Sequence, residues 1–266
     1  MNLPKRPNPM AVAGMRRLPA PARWGFVLLA MLVLIAFTGK RQHARAIPDI
    51  LVEVVEKEGL HFVDERETFA LVQGQILQDI KEQGSGHALR LGRLERLLER
   101  NPFIHKANIS QDLAGLITVE IHQSRPIARI LGMSRGDSYL TDEGKVIPVS
   151  PLYTSRVLLV EGPGARRLID GLQQGDTLAQ DLYTLINRLR ADPFWAAQTA
   201  EIDVSAQGEV RLYPQVGNQV FELGYPDELD SKFRRLQAFY DFILPAKGWG
   251  RYRQVSVKYR GQLVCQ

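Results

Sequence analysis

The fold is decided by residues 94–130, LERLLERNPFIHKANISQDLAGLITVEIHQSRPIARI, where a helix, a strand, a turn and a second strand follow one another without interruption. Leucines recur at three- and four-residue spacing, which indicates a helix with one apolar face, and Asn101-Pro102 ends it. Strand patterns follow at 104–110 and 116–123, and in the second one apolar and polar residues alternate. We therefore predict a β-hairpin that turns at 112–115.

The pattern extends upstream to complete a small module. Residues 50–55 are a short apolar run of strand type. Thr68 is a suitable helix cap, and apolar residues then recur every three or four positions: Phe69, Leu71, Val72, Ile76, Leu77 and Ile80. The predicted order over residues 47–126 is therefore strand, helix, helix, strand, strand. Together with the sequence of residues 94–130, this order resembles the POTRA module. The resemblance implies a small α/β domain of the kind found in exported proteins that scaffold membrane machinery.

Residues 127–266 are predicted to form a β-rich domain, so the predicted fold class of the whole chain is α+β. A hairpin is expected over 138–148 around Asp142, and an apolar strand over 156–161. Three alternating segments predict a meandering antiparallel sheet, and they lie at 201–205, 209–213 and 219–223.

Two helices are expected in the same domain. The first begins near Asp176 and ends before Pro193, and the second begins after Asp227 and stops at Pro245. The chain then ends in residues 254–266, QVSVKYRGQLVCQ, which alternate apolar and polar residues at first and predict a final strand with a bulge at the glycine.

An uncharged apolar run precedes the first module. Residues 24–39, WGFVLLAMLVLIAFTG, predict one transmembrane helix within residues 23–40. At about 1.5 Å per residue the run covers about 24 Å, so flanking residues must help it to cross a hydrocarbon core of about 30 Å. The predicted membrane anchor consists of the large apolar side chains Trp24, Phe26, Leu28, Leu29, Leu32, Leu34, Ile35 and Phe37. Residues 1–22 contain five prolines and are predicted to be a disordered cytoplasmic tail.

The charges are divided unevenly along the chain. Residues 1–45 carry eight basic residues and no acidic one, whereas the whole chain has 34 Lys and Arg against 29 Asp and Glu. The remainder is therefore slightly acidic, which argues against nucleic-acid binding. The basic tail favours a single-pass protein of the cell inner membrane with a cytoplasmic N-terminus and a periplasmic bulk. A cleaved signal peptide is the alternative, because Ala44-Arg45-Ala46 imitates a cleavage site.

Two further patterns extend the resemblance beyond the POTRA-like module. They are SYLTDEGKVIPVS at 138–150, and KFRRLQAFYDF at 232–242 followed by the terminal VKYRGQLVCQ at 257–266. Together with the basic tail and the single span, these patterns resemble the FtsQ/DivIB family of bitopic cell-division proteins over about residues 20–266. The resemblance implies a non-enzymatic scaffold at the division septum, whose exported domains hold early and late division proteins together.

The resemblance also implies where partners bind. Upstream division proteins would meet the POTRA-like module, and small bitopic coiled-coil proteins of the FtsB and FtsL type would bind the C-terminal strand. The matching positions are Val255, Val257, Tyr259, Gln262, Leu263 and Val264. A strand at a sheet edge offers unpaired backbone groups to a partner segment, which is a physical basis for such binding. The alternative is that this strand is only the last member of the sheet.

No pattern in the sequence supports catalysis, a cofactor, a metal site or a small-molecule substrate. Residues 132–136 match G-x-S-x-G, but a hydrolase with Ser134 as its nucleophile needs a strand-to-helix turn where a hairpin is predicted. The five histidines lack the spacing of a metal site, and the single Cys265 excludes an intrachain disulfide. Two alternatives stay open: a POTRA-bearing component of another envelope or polypeptide-handling system, and an exported hydrolase.

Overall fold

The computed structural model describes residues 29, 31, 33, 49–55, 59–83, 89–132 and 136–266. Leu29, Met31 and Val33 are helical and exposed. The other predicted anchor residues lie outside the described residues: Trp24, Phe26, Leu28, Leu32, Leu34, Ile35 and Phe37. Among the residues that are described, no helix has both the length and the apolar character needed to cross a membrane.

The first module is a three-stranded sheet with two helices. Its elements are β1 (Ile50–Val55), α1 (Glu65–Gln83), α2 (Leu91–Leu98), β2 (Ile104–Gln111) and β3 (Ile117–Gln123), in the order that the sequence predicts. β3 lies in the middle, parallel to β1 and antiparallel to β2. The two helices supply the crossover connection that the parallel pair β1 and β3 requires.

Apolar side chains of the helices pack on one face of this sheet. The core contains residues of α1, α2 and β3: Val72, Ile76, Leu94, Leu98, Ile117, Val119 and Ile121. The predicted cap at Thr68 is wrong, because α1 begins three residues earlier. Asp64 caps the helix, since its Oδ1 accepts the N–H groups of Arg66 and Glu67 at 2.7 and 3.2 Å.

Nine strands form the second sheet: β4 (Pro126–Ile130), β5 (Ser138–Thr141), β6 (Val146–Pro148), β7 (Leu158–Glu161), β8 (Thr199–Val204), β9 (Val210–Pro214), β10 (Val220–Gly224), β11 (Gln254–Ser256) and β12 (Val264–Cys265). Across the sheet they lie in the order β12-β11-β10-β9-β8-β7-β4-β5-β6. β8, β9 and β10 form the predicted antiparallel meander. The sheet as a whole is mixed, because β4 with β7, β7 with β8, and β10 with β11 are parallel pairs.

Helices connect the parallel strands of the second sheet. Between β7 and β8 lie α3 (Arg166–Gly171), α4 (Thr177–Ala191) and α5 (Pro193–Gln198), and between β10 and β11 lie α6 (Leu229–Ala238) and α7 (Leu244–Lys247). The sequence predicts α4 and α6 but not the three short helices, because helices of six residues or fewer contain too few turns to show a period.

The predicted helix stop at Pro245 is wrong. A π-helical turn, Phe239–Ile243, joins α6 to α7, and Pro245 lies in the first turn of α7. Proline is tolerated in the first turn of a helical segment, and here it follows directly on the wider π-helical turn, so the helix continues past it.

The two faces of the nine-stranded sheet differ in character. On one face, buried strand residues such as Ile202, Leu212 and Val255 pack with buried residues of α4 and α6. The other face carries charged side chains on neighbouring strands, and these include Glu161, Asp203, Arg211 and Glu222. The sheet therefore has one apolar face beneath the helices and one polar face.

A small apolar cluster joins the two sheets. Phe62, which precedes α1, stacks on Phe103 with 5.3 Å between ring centroids and meets Tyr139 of β5 edge to face at 5.8 Å. The hydroxyl of Tyr139 accepts the N–H of Ser155 at 3.1 Å. The first module and the second sheet are therefore packed against each other through buried aromatic rings.

Candidate partner-binding edge

β12 is the terminal strand of the nine-stranded sheet, and no other strand among the described residues pairs with its outer side. β12 runs antiparallel to β11, with Cys265 opposite Val255. Next to this pair, Gln254 and Gln266 exchange both backbone hydrogen bonds, at 3.1 and 2.8 Å. Because bonded and non-bonded pairs alternate in an antiparallel ladder, the N–H and C=O of Cys265 point away from β11. Both groups are thus oriented towards an added strand.

The bonds on the other side of β11 agree with this alternation. Val257 donates its N–H to the C=O of Glu222 at 2.9 Å, and the C=O of Arg253 accepts the N–H of Val220 at 2.8 Å. Within β11, Val255 therefore directs its backbone groups towards β10 and Gln254 directs its groups towards β12, while the flanking Arg253 also donates its N–H to the C=O of Gln266 at 2.7 Å. The outer edge consequently belongs to β12 alone.

The closing turn, residues 257–263, separates β11 from β12. The prediction of one continuous strand over 254–266 is therefore wrong. Gly261 adopts φ +69°, in the left-handed region that favours glycine, and the N–H of Gln262 donates to the C=O of Tyr259 at 3.2 Å. This glycine reverses the chain instead of forming a bulge, and the reversal makes β12 the edge strand.

The six predicted binding residues do not form one exposed row. Val255 and Val257 are each 0% exposed, because they lie on the face that α6 covers. Leu263 is half-buried against the same core, whereas the exposed members of the set are Tyr259, Gln262 and Val264. A partner therefore has no access to Val255 and Val257 in the folded sheet. These two valines are instead part of the hydrophobic core next to the edge.

Arg235 of α6 anchors the closing turn. Its Nη2 donates to the C=O of Val257 at 2.9 Å, while Nε and Nη1 are buried without a hydrogen-bond partner among the described residues. Buried donors without partners cost free energy, and the bond to Val257 offsets only part of that cost. The turn is thus fixed to α6 by a charged group in an unfavourable environment.

Two ion pairs hold the outer part of the closing turn. Lys258 Nζ pairs with Glu209 of the β8–β9 turn, and the hydrogen bond that Lys258 donates to this carboxylate raises the pKa of its amine. Arg260 Nη2 lies 3.3 Å from Glu228 Oε1. The charges of Lys258 and Arg260, which border the edge, are therefore compensated by acids of the same chain.

Tyr225 is a second exposed aromatic residue near the closing turn, and the sequence pattern does not reveal it. It follows Gly224, where an added Cβ would lie 2.8 Å from Lys258 Cγ, and Tyr259 follows Lys258. Gly224 and Lys258 thus lie on neighbouring chain segments, and the tyrosines that follow them have 54% and 59% of their surfaces exposed. Tyr225 lies in a turn before Pro226, so no periodic signal marks it as a surface residue of interest.

Cys265 contributes a half-buried side chain to the helix-covered face of β12. Burial raises the pKa of its thiol, so the group stays protonated at neutral pH and packs as a small apolar side chain. Val264, its neighbour, points to the opposite face of the sheet and is exposed. A strand added to β12 would accordingly find an apolar contact on each face.

The described residues carry no grouping suited to metal binding. Within those ranges, no three His, Cys, Asp or Glu side chains lie close enough together to hold a metal ion. His105 Nδ1 lies 2.8 Å from Glu143 Oε1, and His122 Nε2 lies 3.1 Å from Glu120 Oε1, so each of these histidines has an acidic partner. Ser134 of the G-x-S-x-G match lies outside the described residues.

The fold and the edge together define an α/β protein in which a small βααββ module precedes a wide mixed sheet that ends in an unpaired strand. A family model described as FtsQ/DivIB, C-terminal related, matches residues 125–266, which comprise the whole nine-stranded sheet and more than half of the chain. The chain therefore belongs to the FtsQ/DivIB family, and its role lies in cell division. The resemblance found in the sequence patterns is confirmed. No curated protein matches the chain.

Proposed function

We propose that this protein is a non-enzymatic, membrane-anchored scaffold of the division machinery, and that its partner adds a strand to β12. The family match supports the role in division. The observation that carries the binding site is the outward orientation of the Cys265 N–H and C=O on a terminal strand. A partner segment that pairs there gains main-chain hydrogen bonds, and pockets for alternate side chains give specificity.

The partner class is a small bitopic coiled-coil protein of the FtsB or FtsL type. β12 has only two residues, so main-chain pairing supplies few hydrogen bonds, each worth about 1 kcal/mol. Affinity then depends on side-chain anchors, for which Tyr225 and Tyr259 are suited because exposed aromatic rings contribute strongly at interface centres. Gln262, Leu263 and Val264 complete the proposed contact surface.

The remaining proposals concern topology and the first module. The eight basic residues in positions 1–45 support a cytoplasmic N-terminus, a single span within 23–40 and a periplasmic remainder in the cell inner membrane. Residues 47–126 act as a POTRA-like module that meets upstream division proteins and brings the chain to the septum. Its βααββ order and the outer sides of β1 and β2 support this role, because terminal strands are available for pairing.

The Cys265→Pro variant tests whether a partner pairs with the backbone of β12. Proline removes the outward N–H but leaves the two bonds between Gln254 and Gln266 in place. The full chain, in phosphatidylcholine nanodiscs, is titrated by calorimetry with the exported segment of an FtsB-like protein from the same cell. We expect binding to weaken at least tenfold, which corresponds to about 1.4 kcal/mol.

Cys265→Ala is the matched control, because it keeps the backbone N–H and removes only the thiol. Its affinity should stay close to that of the unmodified chain, and circular dichroism should show that both variants are folded. A folded Cys265→Pro variant that binds with unchanged affinity would contradict strand addition at β12.

A further inference from the structure

A cleft of about 660 Å³ lies in the middle of the nine-stranded sheet, at the amino-terminal ends of the parallel strands β4, β7 and β8. Its lining begins at Arg125, at the connection between the first module and β4. β9, β10 and β11 separate β8 from β12, so at about 4.8 Å per strand this cleft lies roughly 19 Å from the β12 edge. The two surfaces are therefore distinct.

The charged side chains that line the cleft are all basic. Its lining contains no aspartate or glutamate but four arginines, which are Arg125, Arg129, Arg156 and Arg190. Arg129 is compensated by Asp137, whose Oδ2 lies 2.9 Å from Arg129 Nε. Arg190 Nη1 donates to the neutral Asn187 Oδ1 at 3.3 Å. Arg156 is exposed, and it pairs with no acid in the part of the chain that the structure describes. Two positive charges thus face the cleft without a carboxylate partner.

The floor of the cleft is apolar. Ile127, Leu189 and Trp195 are buried there, and the half-buried Leu158 and Leu159 form part of the wall. Arginine and tryptophan are the side chains that contribute most often to the centres of protein interfaces. Because Trp195 is recessed, it has no access to a flat lipid surface. The arrangement suits a ligand that has both carboxylates and apolar side chains.

We propose that this cleft binds an acidic, extended segment of a partner protein. Carboxylates of that segment pair with Arg156 and Arg190, since a guanidinium group and a carboxylate form two parallel hydrogen bonds. Apolar side chains between the carboxylates lie over Trp195 and Leu189. A free inorganic anion would satisfy the arginines but leave the apolar floor uncovered. This site is additional to the β12 edge and does not depend on strand pairing.

The test uses the full chain in phosphatidylcholine nanodiscs and a short fluorescein-labelled peptide that alternates Glu and Leu. A peptide of the same length that alternates Gln and Leu serves as the neutral probe, and fluorescence anisotropy reports binding. We expect the Glu peptide to bind at least tenfold more tightly than the Gln peptide. The double variant Arg156→Glu and Arg190→Glu should lose at least tenfold in affinity for the Glu peptide.

Arg234→Glu and Arg251→Glu together form the matched control, because both arginines are exposed outside the cleft and the change in net charge is the same. This control and Cys265→Pro should each keep the affinity of the unmodified chain. If the glutamate pair fails to fold, Arg156→Gln with Arg190→Gln replaces it. Equal binding of the two peptides would overturn the proposal. So would complete displacement of the Glu peptide by inorganic phosphate at equal concentration, or arginine-dependent binding to phosphatidylglycerol vesicles without peptide binding.

Discussion

Tyr259 stands on the closing turn with its ring exposed. We predict that Tyr259→Ala weakens binding of an FtsB-like segment by about 2 kcal/mol, because exposed aromatic side chains at the centre of an interface carry much of the affinity. Calorimetry on the full chain in nanodiscs measures the change.

Phe69→Ala is the control for this prediction, since Phe69 is a partly exposed aromatic residue on α1 in the other module. It should leave partner affinity unchanged. If Tyr259→Ala remains folded by circular dichroism and binds as tightly as the unmodified chain, the closing turn is not part of the contact surface.

Glu201, on the polar face of the nine-stranded sheet, makes the stability of the folded protein depend on pH. Burial and the neighbouring Glu161 carboxyl raise the pKa of Glu201. A carboxyl whose pKa is higher in the folded state favours folding at low pH, and this contribution is lost as the pH rises through the folded-state pKa. We therefore predict that Glu201→Gln raises Tm by about 2 °C at pH 8 and by less at pH 4.

Thermal unfolding followed by circular dichroism at both pH values checks the Glu201 prediction. Glu65→Gln, on the exposed first turn of α1, is the control of opposite sign: an ionised carboxylate at a helix N-terminus favours folding, so this change should not raise Tm at either pH. An equal shift at pH 4 and pH 8 for Glu201→Gln would show that the effect is not electrostatic.

Individual residues of the edge show what a sequence pattern can and cannot supply. Alternation correctly places Val255 and Val257 on one face, but it does not tell which face the helices cover, and these valines prove to be core. Tyr225 carries no pattern at all, because its position near the closing turn results from parallel pairing of β10 with β11, in which Val220 lies opposite Gln254. Local periodicity in a sequence does not indicate which distant strands pair with each other.

At the scale of elements, the hydrogen bond from Arg235 is one of the contacts that hold the closing turn and β12 in place. We predict that Arg235→Ala loosens this end of the sheet, because the C=O of Val257 loses its side-chain donor. Hydrogen exchange at the Gln266 amide, which is bonded to Gln254, should accelerate about tenfold, as expected for the loss of about 1.4 kcal/mol.

Arg234→Ala is the control for the turn, because Arg234 is the exposed neighbour of Arg235 on the same helix. Its exchange rates at β12 should match those of the unmodified chain. Unchanged protection of Gln266 in Arg235→Ala would mean that the two strands hold the turn without help from α6.

Whole elements were predictable where the pattern was long or local. β3, α4 and the β8–β10 meander follow from alternation, periodicity and turn residues, and Asp176 caps α4 by accepting the N–H of Ala179 as its sequence position suggests. α3 and α5 are too short for a period to emerge. The mixed order of the nine-stranded sheet depends on which strands meet through helical crossovers, and no local signal specifies that.

At the scale of the molecule, the basic tail predicts how the chain is oriented in the membrane. Alkaline phosphatase fused after Gln266 should be active, because it folds only outside the cytoplasm and residues 46–266 are proposed to lie there. A fusion placed directly after Ala22, upstream of the apolar run, is the control and should be inactive. An inactive C-terminal fusion, or release of a soluble form cut after Ala46, would contradict the single-span arrangement.

The first module gives a second prediction about the whole chain. A fluorescent fusion that lacks residues 47–126 should remain in the membrane but lose its septal rings, because the proposed contacts with upstream proteins are removed. The deletion also uncovers Tyr139 and Ile147 of the apolar cluster. Retained binding of the FtsB-like segment is therefore the control for folding of the second sheet, and normal rings from a folded deletion would exclude the recruiting role.

The connection between the two sheets has a mechanical consequence. Only Ser124 and Arg125 separate β3 from β4, and two extended residues span about 7 Å, so the chain has little slack at this junction. The ring of Phe62, stacked on Phe103 and packed on Tyr139, closes the same junction from the side. Tension applied at β12 would therefore pass across the wide sheet into the first module instead of being absorbed by a loose tether. With the proposed anchor at one end and the proposed partner at the other, a rigid junction of this kind would transmit a pull between them.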